Sequence, residues 1–224
     1  VRRWDAEASA QILVPKYPGS REKAISEREM QIKYPATYGY LMRFRSNLLQ
    51  RKDAVLRRAL KAGAPFYAIG AVGDYTFAPW KVVWREVANT VEAAVVGPHD
   101  GKATIPAHTL IFVACTSKEE AYYLCAALNS TPVRMGVYAY IALHPDTHIL
   151  DYFRIPRFNA ADPVHGKLVE LSWEAHRLAG GEDGEALREI ESEIDRSAAE
   201  LWGLTPGELR EIQQNLAELQ RAEG

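Results

Sequence analysis

A change of hydrophobic period in the middle of the chain constrains its fold more than any other feature. Ahead of it, short β-branched and aromatic runs bounded by turn residues predict strands, as at Lys81–Arg85 and Leu110–Cys115. Directly after the second run, Ser117-Lys-Glu-Glu120 has the pattern of a capping box, because Ser117 can accept from an early backbone amide and Glu120 can reach back. We therefore predict a small sheet followed by a helix that continues through Leu128.

The same pattern divides the chain into three sections. Residues 1–61 are interpreted as an N-terminal irregular and helical segment, residues 62–159 as an α/β body, and residues 160–224 as a C-terminal helical region. Within the body, Pro132–Leu143 is compatible with a helix or a strand. Three more strands and one hairpin loop are expected, at Phe66–Ile69, Val91–Val96, Ile149–Ile155 and Gly97–Gly101.

The last section has helical spacing throughout. Asp162-Pro163 supplies an N-cap and a first-turn proline, Gly180–Gly184 interrupts the periodicity, and Thr205-Pro-Gly-Glu208 is a second capping box. Apolar stripes on both sides of the glycine-rich break predict an antiparallel helical hairpin and then a final helix. The expected fold is an α/β (α+β) domain with a small mixed sheet, flanking helices, and this C-terminal helical hairpin plus final helix.

Charge is distributed unevenly along the chain, although the net charge is only −2. Residues 1–85 carry 16 Lys/Arg against 7 Asp/Glu, whereas residues 86–224 carry 11 against 22. A basic surface can follow DNA phosphates and an acidic one cannot, so any contact with DNA is expected mainly in the first half. The alternative interpretation is that these charges only solvate helix faces.

Cysteine usage and hydropathy bear on the cellular setting. Cys115 and Cys125 have apolar neighbours, so buried free thiols in a reducing cytoplasm are expected rather than a disulfide. The chain has no run of about eighteen apolar residues, and no membrane partner is expected. Because it begins at Val1 with no initiator Met, we expect it to be part of a longer protein.

Four segments together resemble a known family. They are Pro65–Arg85, Leu110–Ser130, Ile155-Pro-Arg-Phe158, and the stretch around Ala199–Leu209. In order and spacing they are similar to the C-terminal target-recognition domain of adenine-specific DNA methyltransferases from bacterial restriction-modification systems, including single-chain enzymes that join nuclease, methylase and recognition parts. The similarity spans roughly three quarters of the chain.

This resemblance implies a sequence-specific module for recognising double-stranded DNA. It also implies an N-terminal methyltransferase domain as partner, with S-adenosylmethionine bound by the parent chain, and in some members a restriction endonuclease in the same polypeptide. The competing hypothesis is a spacer domain that joins protein subunits of a restriction-modification complex through its helices.

Sequence motifs for catalysis are missing from this chain. Gly70-Ala-Val-Gly73 leads into Asp74–Pro79, which is not a helix start, and Asn129-Ser-Thr-Pro132 lacks the Pro-aromatic pair that the family uses to hold a flipped adenine. His144 and His148 are separated by Pro145 and Asp146, with no third ligand evident. We expect no catalytic residue, no cofactor and no metal in this chain.

Candidate DNA contacts are cationic and aromatic residues near loops and element ends, with Tyr75 and Phe77 just before the strand that carries Lys81 and Arg85. Arginine can pair bidentately with guanine in the major groove, and lysine is better suited to a phosphate. Trp80, Trp84 and Tyr67 are interpreted as core. The predicted DNA-binding residues are Arg43, Arg45, Lys81, Arg85, Lys102, His108, Arg134, Arg154 and Arg157.

Overall fold

The computed structural model describes residues 1–20, 24–140 and 145–223. Within these ranges the chain forms ten α-helices, one 3-10 helix and a three-stranded sheet. It divides into two compact units, a smaller one formed by Ala10–Phe77 and a larger one formed by Val1–Ser9 with Ala78–Gly224. No helix of the described part is both long and apolar enough to cross a bilayer. The predicted section boundaries at residues 61 and 159 do not coincide with the limits of these units.

The smaller unit is built from short helices around an aromatic core. Ser26 caps the first helix by accepting from the Glu29 amide at 3.2 Å, and Asp53 caps the fourth by accepting from the Leu56 amide at 2.6 Å. The buried residues are Ala24, Ile25, Met30, Leu56, Phe66, Tyr67 and Ala68. The helices are α1 (Glu27–Lys33), α2 (Pro35–Met42), α3 (Arg45–Leu49) and α4 (Ala54–Lys61), followed by the 3-10 helix Asp74–Phe77.

The sheet of the larger unit has the order β2-β1-β3, with β1 (Trp80–Arg85) in the centre. Both neighbours, β2 (Ala94–Val96) and β3 (Leu110–Cys115), are antiparallel to it. Val82 and Trp84 of β1 are fully buried in the core that the sheet shares with the helices. The expected combination of helices and a small sheet is confirmed, and its described strands are all antiparallel rather than mixed.

Six helices complete the larger unit, and three of them begin where the capping pattern places them. The Ser117 hydroxyl accepts from the Glu120 amide at 3.0 Å, and Asp162 accepts from the Val164 amide at 2.9 Å. Thr205 accepts from the Glu208 amide at 3.3 Å. The helices are α5 (Lys118–Asn129), α6 (Thr131–Tyr140), α7 (Ile149–Tyr152), α8 (Pro163–Ala179), α9 (Gly184–Glu200) and α10 (Pro206–Glu223).

Two of the expected strands are wrong. The strand predicted at Ile149–Ile155 begins instead as α7, where Ile149 is buried and Tyr152 is exposed. Phe66–Ile69 lies in a turn whose rings fill the core of the smaller unit. Both errors have the same cause, because a short apolar run is buried equally well as a strand, a helical turn or a loop, and periodicity does not separate them. Of the ambiguous Pro132–Leu143, the described part is helical.

Residues at the N-terminus pack into the larger unit. Trp4 is 1% exposed, and its indole Nε1 donates to the Glu191 carboxylate at 2.7 Å. The Arg3 guanidinium contacts Glu191 at 2.8 Å and donates to the Asn129 carbonyl at 2.8 Å. Burial, together with the charge of Arg134, lowers the pKa of Arg3 to about 10, against the opposing effect of Glu191. These contacts connect the N-terminus to α5 and α9.

Two buried polar side chains hold the helices against the sheet and each other. Asn129 Oδ1 accepts from the Ala93 amide at 2.8 Å, and its Nδ2 donates to the Ala93 carbonyl at 2.8 Å. The Asp195 carboxylate accepts from the Thr131 amide and hydroxyl at 2.7 and 2.6 Å, and from Gln213 at 2.9 Å. Asn129 and Asp195 therefore satisfy the hydrogen-bonding capacity of buried polar groups, and their role is structural.

His176 is a half-buried histidine on α8 that contacts the edge strand β2. Its Nε2 accepts from the Val95 amide at 2.9 Å, so the proton lies on Nδ1, which donates to the Ser172 carbonyl at 2.6 Å. The ring makes edge contacts with Trp4 and Tyr122. Burial lowers the pKa of His176, although the Ser172 carbonyl opposes this.

The free energy of unfolding should therefore fall as the pH drops below about 6.5, the ordinary pKa of histidine. Above that pH both states hold the neutral ring, whereas below it the unfolded chain binds a proton that the folded chain resists. Urea unfolding of wild type and His176→Gln across this range measures the effect. The variant should start less stable and lose less stability on acidification. An identical pH dependence in both proteins would contradict the assignment.

Candidate nucleic-acid interface

Positive charge is concentrated in the smaller unit. Ala10–Phe77 contains 12 Lys/Arg and 5 Asp/Glu, a net charge of +7, and the rest of the chain contains 15 and 24, a net charge of −9. The asymmetry expected from the sequence thus follows a structural division of the chain. A net positive charge favours contact with phosphates and a net negative charge opposes it, so the smaller unit is the candidate for contact with nucleic acid.

The part of the smaller unit best suited to nucleic acid is residues 34–52, which we call the basic-aromatic segment. It contains four Lys/Arg, four aromatic residues and no Asp or Glu. The segment runs over α2 and α3 and into the loop before α4. Cations interleaved with aromatic rings are typical of surfaces that contact phosphates and bases together.

One face of the basic-aromatic segment secures it to the unit. Tyr38, Leu41 and Leu48 pack against the core, with the Tyr38 ring centroid 6.2 Å from that of Phe66 and 6.4 Å from that of Tyr67. Tyr38 and Leu41 are three residues apart, so they lie on the same side of α2. Tyr38, Leu41 and Leu48 are enough to pack the segment against the core, so its other aromatic rings are not needed for that packing.

The other face presents rings and cations to solvent. Tyr40 is 51% exposed and Phe44 is 43% exposed, and their ring centroids are 5.2 Å apart in an edge-to-face arrangement. Arg43 and Arg45 are both exposed, and the Arg45 guanidinium carbon is 5.5 Å from the Phe66 ring centroid. The structure thus brings together two of the nine predicted DNA-binding residues on one short segment.

Arg51, also in the segment, has a different role. Its guanidinium donates from Nε to the Leu48 carbonyl and from Nη2 to the Phe66 carbonyl, both at 2.7 Å. Burial lowers its pKa. Arg51 thus connects the end of α3 to the core turn, and Arg43 and Arg45 are the arginines available to a ligand.

The environment of Lys81 in the larger unit differs from the accessible position that the sequence predicts. Lys81 is fully buried, and its ammonium donates to the Ala78 carbonyl. Burial lowers the pKa of this lysine. Both faces of β1 are covered, because Val83 on the same side as Lys81 is as inaccessible as Val82 on the other. The placement does not support the phosphate contact predicted for Lys81.

Three other predicted residues lie exposed at a strand end or in the loop between β2 and β3. Arg85 closes β1 and donates from Nε to the Val1 carbonyl at 3.1 Å. Lys102 pairs with His99 across a tight turn in which Asp100 and Gly101 adopt positive φ angles of 49° and 71°. This turn overlaps the predicted hairpin loop Gly97–Gly101, but β2 and β3 on either side of it pair with β1 and not with each other, so the hairpin prediction is wrong. The third residue, His108, precedes β3.

The remaining predicted residues are arginines on or after the helices of the larger unit. Arg134 is half-buried on α6, where its positive charge acts on Arg3, so it is partly withdrawn from solvent. Arg154 and Arg157 are exposed in the segment after α7. That segment is held in place by the Trp202 indole, which donates to the Phe153 carbonyl at 2.7 Å.

The glycine pair Gly70 and Gly73 lacks the strand-to-helix setting of a nucleotide-binding loop. Gly70–Gly73 follows a turn rather than a strand and leads into the four-residue 3-10 helix. A Cβ at Gly73 would lie 2.5 Å from the Tyr75 ring, so its space is already occupied. Of the histidine pair considered for a metal, His148 is exposed beside Asp151, and His144 lies outside the described residues.

The chain is similar to part of a known protein. No family model matches the chain. The chain is 30% identical over 100 residues to the type II methyltransferase M.NspV of Nostoc sp.. The matched region is 45% of this chain and 20% of that protein. This similarity relates the chain to a type II methyltransferase, and the matched region covers about one fifth of the length of that protein.

The exposed ring pair is the feature that sequence reasoning missed. The nine predicted DNA-binding residues are cations or histidine, and the aromatic residues that the sequence places beside them are Tyr75 and Phe77, not Tyr40 and Phe44. The signal that could have identified them is the absence of Asp and Glu between Tyr34 and Lys52 in a stretch with four aromatic residues.

Proposed function

We propose that this chain is the DNA-recognition module of a restriction-modification adenine methyltransferase, and that it binds double-stranded DNA. The observation that carries the proposal is the net charge of +7 on a compact unit of a chain related to a type II methyltransferase. The exposed Arg43 and Arg45 support it, because they lie in a segment without carboxylates.

Phosphate contacts position a protein on DNA, and base contacts specify the sequence. In this proposal the smaller unit supplies most phosphate contacts. Base contacts come from exposed cations at strand ends and in loops of the larger unit, where side chains vary without disturbing the core. Those residues are Arg85, Lys102, His108, Arg154 and Arg157.

The catalytic partner in this proposal is a methyltransferase domain of the same parent protein. That domain would bind S-adenosylmethionine and carry out methyl transfer to adenine. The recognition module contributes affinity and sequence preference, so its own residues need no catalytic group. A cytoplasmic location follows from a substrate that is cellular DNA.

A second function, protein–protein attachment through the C-terminal helices, is favoured by one observation. Residues 160–224 carry 6 Lys/Arg and 15 Asp/Glu, so they would repel a phosphate backbone. On α8, Trp173 is 49% exposed between Glu170 and Glu174 in sequence. An acidic helix face with an exposed tryptophan suits a basic protein surface better than DNA.

Titration with duplex DNA at several salt concentrations tests the proposed function. The logarithm of the association constant should fall linearly with the logarithm of the salt concentration, with a slope of about −0.9 for each phosphate neutralised. Competition between a mixed-sequence duplex and genomic fragments of the host separates specific from general binding. Failure to bind any duplex at low salt would overturn DNA recognition and leave the attachment function.

A further inference from the structure

Tyr40 and Phe44 have large aromatic rings that are exposed on the surface and do not contribute to the core of the smaller unit. No residue of α2 is fully buried, and its inward face is supplied by Tyr38 and Leu41. Exposing an aromatic ring to water is unfavourable, since burial of such a ring stabilises a fold. Two such rings in edge-to-face contact suggest a surface made for a ligand with flat apolar faces.

A second row of residues beside the rings leaves room for that ligand. Tyr40 and Phe44 are four residues apart, and so are Gly39 and Arg43, which places two neighbouring rows on α2 and its C-terminal end. A Cβ at Gly39 would meet nothing within 4 Å, so no neighbouring side chain requires a glycine there. Glycine within a helix lowers its stability relative to alanine, and its use here leaves open space next to Tyr40.

The charges around the rings indicate the chemistry of the ligand. Arg43 and Arg45 alternate with Phe44 along the chain, and residues 34–52 contain no carboxylate. Flat apolar faces joined by negative charges describe the bases and phosphates of a nucleic acid strand. In a closed duplex these base faces are stacked on each other, whereas a gap or unpaired stretch exposes them.

We propose that Tyr40 and Phe44 form a stacking site for unpaired DNA bases, with Arg43 and Arg45 binding the flanking phosphates and Gly39 admitting the strand. The site deepens the proposed function and rests on it, since a recognition module meets locally opened DNA beside a base-modifying domain. It predicts a preference for gapped over fully paired DNA that charge alone does not produce.

The test compares the binding of the full chain to a duplex and to the same duplex with a short single-stranded gap. Wild type should bind the gapped DNA more tightly. Tyr40→Ala combined with Phe44→Ala should weaken gapped-DNA binding by about 25-fold or more and leave duplex binding nearly unchanged, because each base–ring contact contributes about 5- to 100-fold. Gly39→Leu keeps both rings and all charges but fills the open space, and it should also remove the preference.

Two variants serve as matched controls. Tyr40→Phe keeps the ring and should retain the preference, and Tyr152→Ala removes a ring that is 75% exposed in the larger unit and should change nothing. Circular dichroism confirms that each variant folds.

The outcomes separate this site from the proposed function. If wild type binds duplex and gapped DNA equally and the double variant matches it, the stacking site is overturned while DNA recognition stands. If wild type binds neither DNA, both fail. If wild type binds vesicles of anionic lipid in preference to either DNA, and the double alanine variant loses that binding, the rings serve a membrane surface and the stacking site is again overturned.

Discussion

Replacing Ile194 with aspartate should destabilise the larger unit by about 4 kcal/mol or more. Ile194 is completely buried in the core that joins α9 to α5 and α8. The change removes an apolar side chain and places an unpaired carboxylate in an apolar environment, and each of these is costly. Since whole domains are stable by only about 5–15 kcal/mol, the variant should be partly unfolded at 37 °C.

Differential scanning calorimetry measures this effect as a lower transition temperature. The matched control is Val87→Asp, which makes the same kind of change at a residue that is 61% exposed in the same unit. That control should unfold within a degree or two of wild type. An Ile194→Asp protein that unfolds at the wild-type temperature and binds a different DNA sequence would contradict the structural role assigned to the C-terminal helices.

Reversing Arg43 and Arg45 together to glutamate should weaken duplex binding on the order of 100-fold at low salt. Each reversal removes a cation that faces solvent and adds an anion that repels phosphate. If both arginines contact phosphates, the slope of affinity against salt should become shallower by about 1.8, twice the contribution of one contact. Fluorescence anisotropy with a labelled duplex at several salt concentrations gives both quantities.

The control for this variant makes the same change in net charge elsewhere. Arg188 and Arg210 are exposed on α9 and α10, and reversing both to glutamate should leave the salt slope unchanged. A second control, Arg43→Gln with Arg45→Gln, removes the cations without adding anions and should have an intermediate effect. A salt slope that stays the same after reversal of Arg43 and Arg45 would place the phosphate contacts on another surface.

Some elements could be predicted because their determinants are adjacent in sequence. The caps at Ser117, Asp162 and Thr205 accept hydrogen bonds from amides two or three residues ahead, so the motif and its partner are read together. The glycine-rich break between α8 and α9 is equally local. These features placed the starts of three helices correctly.

The candidate site was only partly predictable, for a reason visible at Lys81 and Tyr40. From the sequence, Lys81 is predicted to be an accessible cation, and Tyr40 is not distinguished from its helical neighbours. Lys81 is buried because both faces of β1 are covered, and Tyr40 is exposed because Tyr38 and Leu41 already supply the inward face of α2. Which side of an element is covered depends on residues far away in the chain, and local pattern does not contain that information.

Sequence alone determined the starts of α5, α8 and α10, the strands β1 and β3 and the uneven charge, because each follows from neighbouring residues or from composition. Tertiary structure decided that Val1–Ser9 belongs with the larger unit, through contacts such as that of Trp4 with Glu191, 187 residues away. It also decided that Ile149–Tyr152 is helical and that Arg43 and Arg45 share an exposed surface with two rings. Burial is a property of the packed whole, and no segment specifies it by itself.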